Sequence, residues 1–225
     1  MNAHWKTERV RCRHRRATRF AWWLLSLAVT SIGTAQGPVD DRPPTIPIAR
    51  EALNDSLERL TGPLEQSAST VSEDVRKALK RATSETAGLP VQHRLDPHVS
   101  IVIRLNPEAR VRCYPGPAPI ALTTTQPTWT LVKIINDCGS RAELRITTRE
   151  TGEPEPRAIW HWVGNDPSPD APWPRLSGSE VEYRWLQIAC PVPGWREVTV
   201  AFDAGAGTQD IGFRGETALL LRITE

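Results

Sequence analysis

Trp160-His161-Trp162 is the segment of this chain whose side chains are best spaced for a chemical task. On a strand, successive side chains alternate between faces, so both indoles share one side and Ile159, His161 and Val163 take the other. If the Ile159/Val163 side is core, the two rings stand outward about 7 Å apart, from a rise of roughly 3.3–3.4 Å per residue. That ladder suits the apolar C–H faces of sugar rings. Trp173, in the proline-stiffened stretch 166–174, completes a glycan platform of Trp160, Trp162 and Trp173 on this reading. The opposite orientation buries both indoles, the usual fate of tryptophan, and leaves His161 outside.

The other constellations are weaker. Gly205-Ala206-Gly207-Thr208-Gln209-Asp210 lacks the third glycine and the strand–helix setting of a phosphate loop. Asp203 and Asp210 around those glycines have the oxygen ligands calcium prefers, but a glycine-rich turn between strands is the plainer account. His93, Asp96 and His98 stand at a metal-compatible spacing inside a linker, beside Pro97. No Gly-x-Ser-x-Gly, His-Glu-x-x-His or Walker sequence occurs, so no catalytic residue, metal ligand or cofactor is assigned.

The elements that position these residues come in two kinds. From Ile48 to Ala87 the pattern is helical, with Leu53, Leu57, Leu60 and Leu64, then Val71, Val75, Leu79 and Ala82, at steps of three and four. Gly62-Pro63 interrupts it, and Thr70-Val71-Ser72-Glu73 has the form of a capping box. The stripe is thin, which predicts a helical hairpin or stalk over 48–87 whose apolar face is available for self-association. A linker follows over 88–98.

From Val99 onward the period is two, with β-branched residues. Strands are predicted at 99–105, 109–113, 119–122, 129–136, 141–149, 157–163, 181–189, 196–202 and 217–224. Asp137-Cys138-Gly139-Ser140 has the length and chemistry of a hairpin turn joining 129–136 to 141–149. Eight or nine strands separated by proline and glycine loops predict a mainly β fold: an immunoglobulin-like or jelly-roll β-sandwich over 99–225, preceded by the helical segment.

The charge is uneven. The 225 residues hold 28 Lys+Arg against 26 Asp+Glu, a formal +2. Seven basic side chains lie in residues 1–35 against Glu8 alone, which leaves 21 basic and 25 acidic groups, a net −4, for the rest. That remainder lacks the electrostatic footprint of a nucleic-acid binder. The basic block 12–19, the apolar run 21–32 and Gly33-Thr34-Ala35 have the n-region, h-region and cleavage site of a secretory signal peptide, cut before Gln36. The apolar run is shorter than the roughly 20 residues of a spanning helix, which disfavours the alternative of an uncleaved anchor. Residues 36–47 read as an extended, disordered leader.

Export permits disulfides, and three cysteines follow the cleavage site: Cys113, Cys138 and Cys190. With simple up-down connections between consecutive strands, Cys113 and Cys138 fall at one end of the sandwich and Cys190 at the other. A Cys113–Cys138 bridge is therefore expected, with Cys190 free or intermolecular.

Three stretches carry a resemblance: 130–136 with its following turn, 181–188 and 202–214. Together they resemble a group of uncharacterised secreted proteins from planctomycete-type bacteria, over the C-terminal half only. The resemblance implies export and a β-sandwich, and it brings no functional residues. The sequence thus supports an exported, non-catalytic β-sandwich module of the cell envelope or extracellular space, periplasmic, surface-bound or free. Its role would be interaction or structure, its partner an envelope protein or glycan of unknown identity and not nucleic acid. The alternatives are a carbohydrate-binding module on the tryptophan platform and an enzyme of unrecognised type.

Overall fold

Alternating β-branched and aliphatic residues produce nine strands in the computed structural model, which describes residues 43–64, 71–150, 156–164, 173–205 and 213–225. The signal-peptide reading of 1–35, the first part of the leader, the Gly-Ala-Gly turn beyond Gly205 and Thr70 of the capping box lie outside the described residues. So does most of the proline-rich stretch before Trp173.

The strands are β1 (Val99–Leu105), β2 (Val111–Pro115), β3 (Ala121–Thr123), β4 (Thr128–Asn136), β5 (Arg145–Glu150), β6 (Ile159–Trp162), β7 (Val181–Ala189), β8 (Gly194–Asp203) and β9 (Arg214–Thr224). One sheet has the order β2-β1-β4-β7-β6 and the other β3-β9-β8-β5. Their inner faces share a core that includes Ile103, Val132, Ile134, Trp162, Val198, Val200 and Phe202. The fold is thus mainly β and sandwich-like.

The hairpin expected across residues 137–140 does not form. β4 pairs antiparallel with β7, and β5 pairs with β8 in the other sheet, so the 137–140 turn carries the chain between sheets. Asn136 organises this arch: its Oδ1 accepts from Ser140 N at 2.9 Å, and its Nδ2 donates to Ser140 O at 2.9 Å. The physical reason is visible in β4. Eight of its nine residues are buried, because it is central in a sheet covered on both faces, and such a strand needs partners from both sides rather than a local hairpin.

The helices supply the second cover. They are α1 (Asn54–Leu64), α2 (Glu73–Ser84) and α3 (Gly88–Leu95). Leu53, Leu57, Leu60, Val71, Leu79, Val91 and Leu95 pack in one cluster with Val102, Leu131, Ile135, Val181, Tyr183 and Trp185 of the five-stranded sheet. A stalk is therefore excluded. The stripe is thin because it covers one side of a flat sheet, and being buried there it is no free surface for self-association.

The linker expected over 88–98 is helix α3 followed by a 3₁₀ turn at Asp96–His98. Gly88 and Pro90 lie in the first turn of this helix, where proline is tolerated. Gly88 also admits a backbone: a Cβ there would stand 2.3 Å from Ile48 O. Residues 43–47, expected to be disordered leader, lie in this groove. Gln92 Oε1 accepts from Ile46 N at 3.0 Å, and Gln92 Nε2 donates to Ile46 O at 2.6 Å. At the start of α2, Ser72 accepts from Val75 N, so the cap falls two residues later than Thr70.

Candidate functional site

Trp160 and Trp162 face the sandwich core, with 8 % and 2 % of their surfaces exposed, while Ile159 is 63 % exposed. Trp162 donates its indole N–H to Leu144 O at 3.1 Å and its ring lies 5.8 Å from that of Phe202. Trp173 is half-buried against the same core. No sugar-stacking platform of Trp160, Trp162 and Trp173 exists. The alternation correctly put both indoles on one face, but the face they share is the inner one, where their large apolar area contributes most to stability.

The expected Cys113–Cys138 bridge is absent, and Cys113, Cys138 and Cys190 are free thiols. β3, assumed to precede β4 as its antiparallel neighbour, instead lies parallel to β9 in the other sheet. Cys113 is mid-strand in β2, level with Ile103 of β1, which is level with Ile134 of β4. Cys138 thus lies two strand spacings of ~4.8 Å away and four residues farther along, beyond the roughly 7 Å that a bridge spans. Burial pushes the Cys113 thiol up to about 12, an unreactive state.

Of the residues at metal-compatible spacing, His93 is exposed, His98 half-buried and Asp96 buried. Asp96 belongs to a different assembly. Lys133, in the middle of β4 and fully buried, reaches Asp96 Oδ1 at 2.9 Å and Oδ2 at 2.8 Å. It also donates to Gln92 Oε1 at 3.1 Å and Pro44 O at 2.8 Å. Tyr183 Oη donates to Asp96 Oδ1 at 2.6 Å. Desolvation raises Asp96 from its ordinary value and lowers Lys133, in both cases against the pull of the partner's charge. This cluster joins β4, β7, α3 and residues 44–46. It has the look of an active site, but each polar atom is spent on holding the helical layer against the sheet.

Arginines gather at one edge of the sheet, Arg59 and Arg175 exposed and Arg184 largely buried. β6 ends at Trp162, whereas β7 runs on to Val181, so among the described residues part of the β7 edge has no strand beside it. Helix α1 moves into that place. Ser56 Oγ accepts from Tyr183 N at 3.2 Å, and Leu60 O accepts from the Trp185 indole at 2.9 Å. On the sandwich side, the segment after Trp173 runs along 142–144, with Leu144 N donating to Pro174 O and Arg175 bridging to Glu143. Between α1 and this segment lies a cleft of about 380 Å³, lined by Arg59, Pro63, Trp162–Gly164, Pro174, Arg175, Arg184 and Trp185.

Three arginines line the cleft, and among the described residues Glu182 is the carboxylate that pairs with two of them, Arg59 and Arg184. Glu182 is 1 % exposed and accepts from Arg184 Nη2 at 2.9 Å and Nε at 3.3 Å, and from Ser177 N at 2.7 Å. Arg184 Nη2 also donates to Arg175 O. Arg59 approaches Glu182 only to 3.6 Å. Arg175 makes no side-chain hydrogen bond or ion pair among the described residues and is exposed. A second hollow of about 290 Å³ lies between the first turn of α2 and the start of β4, lined by Asp74, His98, Trp129 and Trp185 among others. Burial lowers His98, partly opposed by Asp74.

Sequence reasoning could not find the cleft, because Arg59, Arg175 and Arg184 come from a helix, a loop and a strand in a chain with many arginines. Lys133 was findable: a lone cation inside Thr130-Leu131-Val132-Lys133-Ile134-Ile135 demands a buried partner.

No known protein family matches the chain, and no curated protein matches it. Among solved structures it is similar to domains 4 and 5 of the S-layer protein SbsC, at 9% identity and a TM-score of 0.28 over 48% of this chain. The match covers 47% of that protein's chain, about half its length. It is similar also to the cysteine protease inhibitor EhICP2 from Entamoeba histolytica, at 9% identity and 0.24, covering 54% of this chain and 94% of that one. A third is SSP-19, an MSP-domain protein like family member in Caenorhabditis elegans, at 11% and 0.25, covering 48% and 94%. Likenesses at this level carry no argument about activity. Among the described residues, no helix is long and apolar enough to cross a membrane.

Proposed function

We propose that the chain is an exported, non-catalytic β-sandwich module of the cell envelope or extracellular space, with an interaction role exercised through the arginine cleft. The sandwich is an immunoglobulin-like or jelly-roll variant, and its kin are the secreted planctomycete-type proteins its C-terminal half resembles. Export is supported by the basic, apolar and small-residue succession of residues 1–35. The interaction role is carried by one observation: Arg59, Arg175 and Arg184 are brought from three separate elements to one open cleft, with Arg175 left unengaged.

The test is fractionation of producing cells that carry the wild-type chain or an Arg59→Gln/Arg175→Gln variant. Mass spectrometry is expected to find Gln36 as the first residue of the exported protein, with retention on an envelope or extracellular partner weakened in the variant. An intact N-terminus confined to the cytoplasm, or retention unchanged in the variant, overturns the reading.

A further inference from the structure

We infer that the arginine cleft is a site for a carboxylate carried on a small apolar stem; this rests on the cleft being the interaction surface. Three features select the ligand. The volume of about 380 Å³ suits one small molecule or a single side chain. The lining also includes Pro63, Pro174 and Val163, apolar side chains that suit an aliphatic stem and offer no partners to a ring of hydroxyls.

The third feature is the arginine geometry. Arg184 already grips a carboxylate, that of Glu182, through Nε and Nη2. Its Nη1 makes no hydrogen bond among the described residues, and Arg175 beside it makes no side-chain bond. Arginine's planar fork matches a planar carboxylate by two parallel hydrogen bonds. Glu182, held by Arg184, offsets one of the three positive charges. A second carboxylate, entering from solvent against Arg175 and Arg59, completes a row of alternating charge across the cleft.

The intact purified chain is titrated with N-acetyl-L-glutamate, D-glucuronate and inorganic phosphate, followed by calorimetry and by the indole N–H resonances of Trp162 and Trp185. Saturable binding of N-acetyl-glutamate that shifts those resonances is expected, weakened about tenfold or more by Arg175→Gln, as for a lost charge-assisted bond. Arg59→Gln is expected to act in the same direction. Both side chains are exposed, so unfolding curves of the variants are expected to match the wild type and exclude a folding effect. Arg184 is left intact, since its removal orphans Glu182.

Glucuronate binding as tightly as N-acetyl-glutamate overturns the apolar-stem assignment, and tighter binding of phosphate overturns the carboxylate assignment. Either result leaves the cleft as an interaction surface. No binding of any probe, or binding untouched in both variants, overturns the site. Arginine-dependent retention in cells alongside that result would sink the carboxylate inference and spare the interaction role.

Discussion

The five-stranded sheet is covered twice, and the two covers are built on different principles. Toward the other sheet its side chains are Ile101, Ile103, Val132, Ile134, Leu186 and Ile188, met by Val198, Val200 and Phe202. Toward the helices it places Leu131, Lys133, Ile135, Tyr183 and Trp185, and the contact is organised around the Lys133–Asp96–Tyr183 cluster. An apolar contact is non-directional and tolerates repacking. A buried ion pair with five hydrogen bonds admits one placement. Both faces bury apolar surface, and the helical face adds a directional contact that fixes position. That fixed position suits the cleft, since Arg59 reaches the cleft only if α1 sits at one setting on the sheet.

The comparison breaks most sharply at Lys133. Lys133→Ala leaves Asp96 buried and unpaired and is expected to cost about 3–5 kcal/mol in urea unfolding. The double variant Lys133→Met/Asp96→Leu removes both charges, and it is expected to regain most of that loss. Desolvation works against the charged form of both groups, and apolar replacement of a buried pair is often neutral or stabilising. If the double variant is no more stable than Lys133→Ala, the pair is a net source of stability and the contrast between the faces falls.

Tyr183→Phe comes next. It deletes the hydroxyl bond to Asp96 with little change in volume and is expected to cost about 1.5–3 kcal/mol, the range for hydrogen bonds to charged groups. On the apolar face, Ile134→Val is expected to cost only about 0.5–1.5 kcal/mol, measured in the same unfolding experiment. A larger loss for Ile134→Val than for Tyr183→Phe would reverse the ranking of the two faces in sensitivity to small changes.

The smallest expected effect is a pH dependence. Burial holds His98 and His161 below the ordinary histidine value of 6.5. The unfolded chain then binds more protons than the folded one just below pH 6.5. Stability from these groups is full above that pH and declines as pH falls toward their folded values. His98→Gln is expected to flatten part of the decline in thermal melts between pH 7 and 5. An unchanged slope would show that His98 is not desolvated as the hollow beside α2 places it.

How much of this was legible follows from which face each residue meets. β1 and β7 were readable to the residue, at 99–105 and 181–189, because β-branched and aliphatic residues run through both and turns bound them. β5 was readable in parity, with Leu144 and Ile146 inside. Pairing was not. β4 is buried on both faces, so its sequence carries no alternation to say which neighbour lies where, and the arch at 137–140 looks locally like a hairpin. The helical layer was misread for the same reason in reverse: a single row of leucines is enough when the opposing surface is a sheet whose strands come later in the chain. For Trp160 and Trp162 the period gave the partnership and not the direction. The cleft is a tertiary coincidence of three arginines, and no local pattern encodes it.

Helix α1 does more than cover a face. Where β6 stops, β7 would present bare main-chain donors and acceptors, the feature by which one protein recruits another into a shared, growing sheet. Ser56 occupies that margin, lying 127 residues ahead of the Tyr183 N–H it engages, while Leu60 anchors the helix through the Trp185 indole. Because synthesis proceeds from the N-terminus, the guard is made before the margin it protects. A chain lacking α1 is expected to associate through β7 into light-scattering, β-rich particles as it refolds, whereas the intact chain stays monodisperse. The helix thus acts as a built-in terminator of intermolecular strand addition, and solubility, as much as stability, depends on its arriving first.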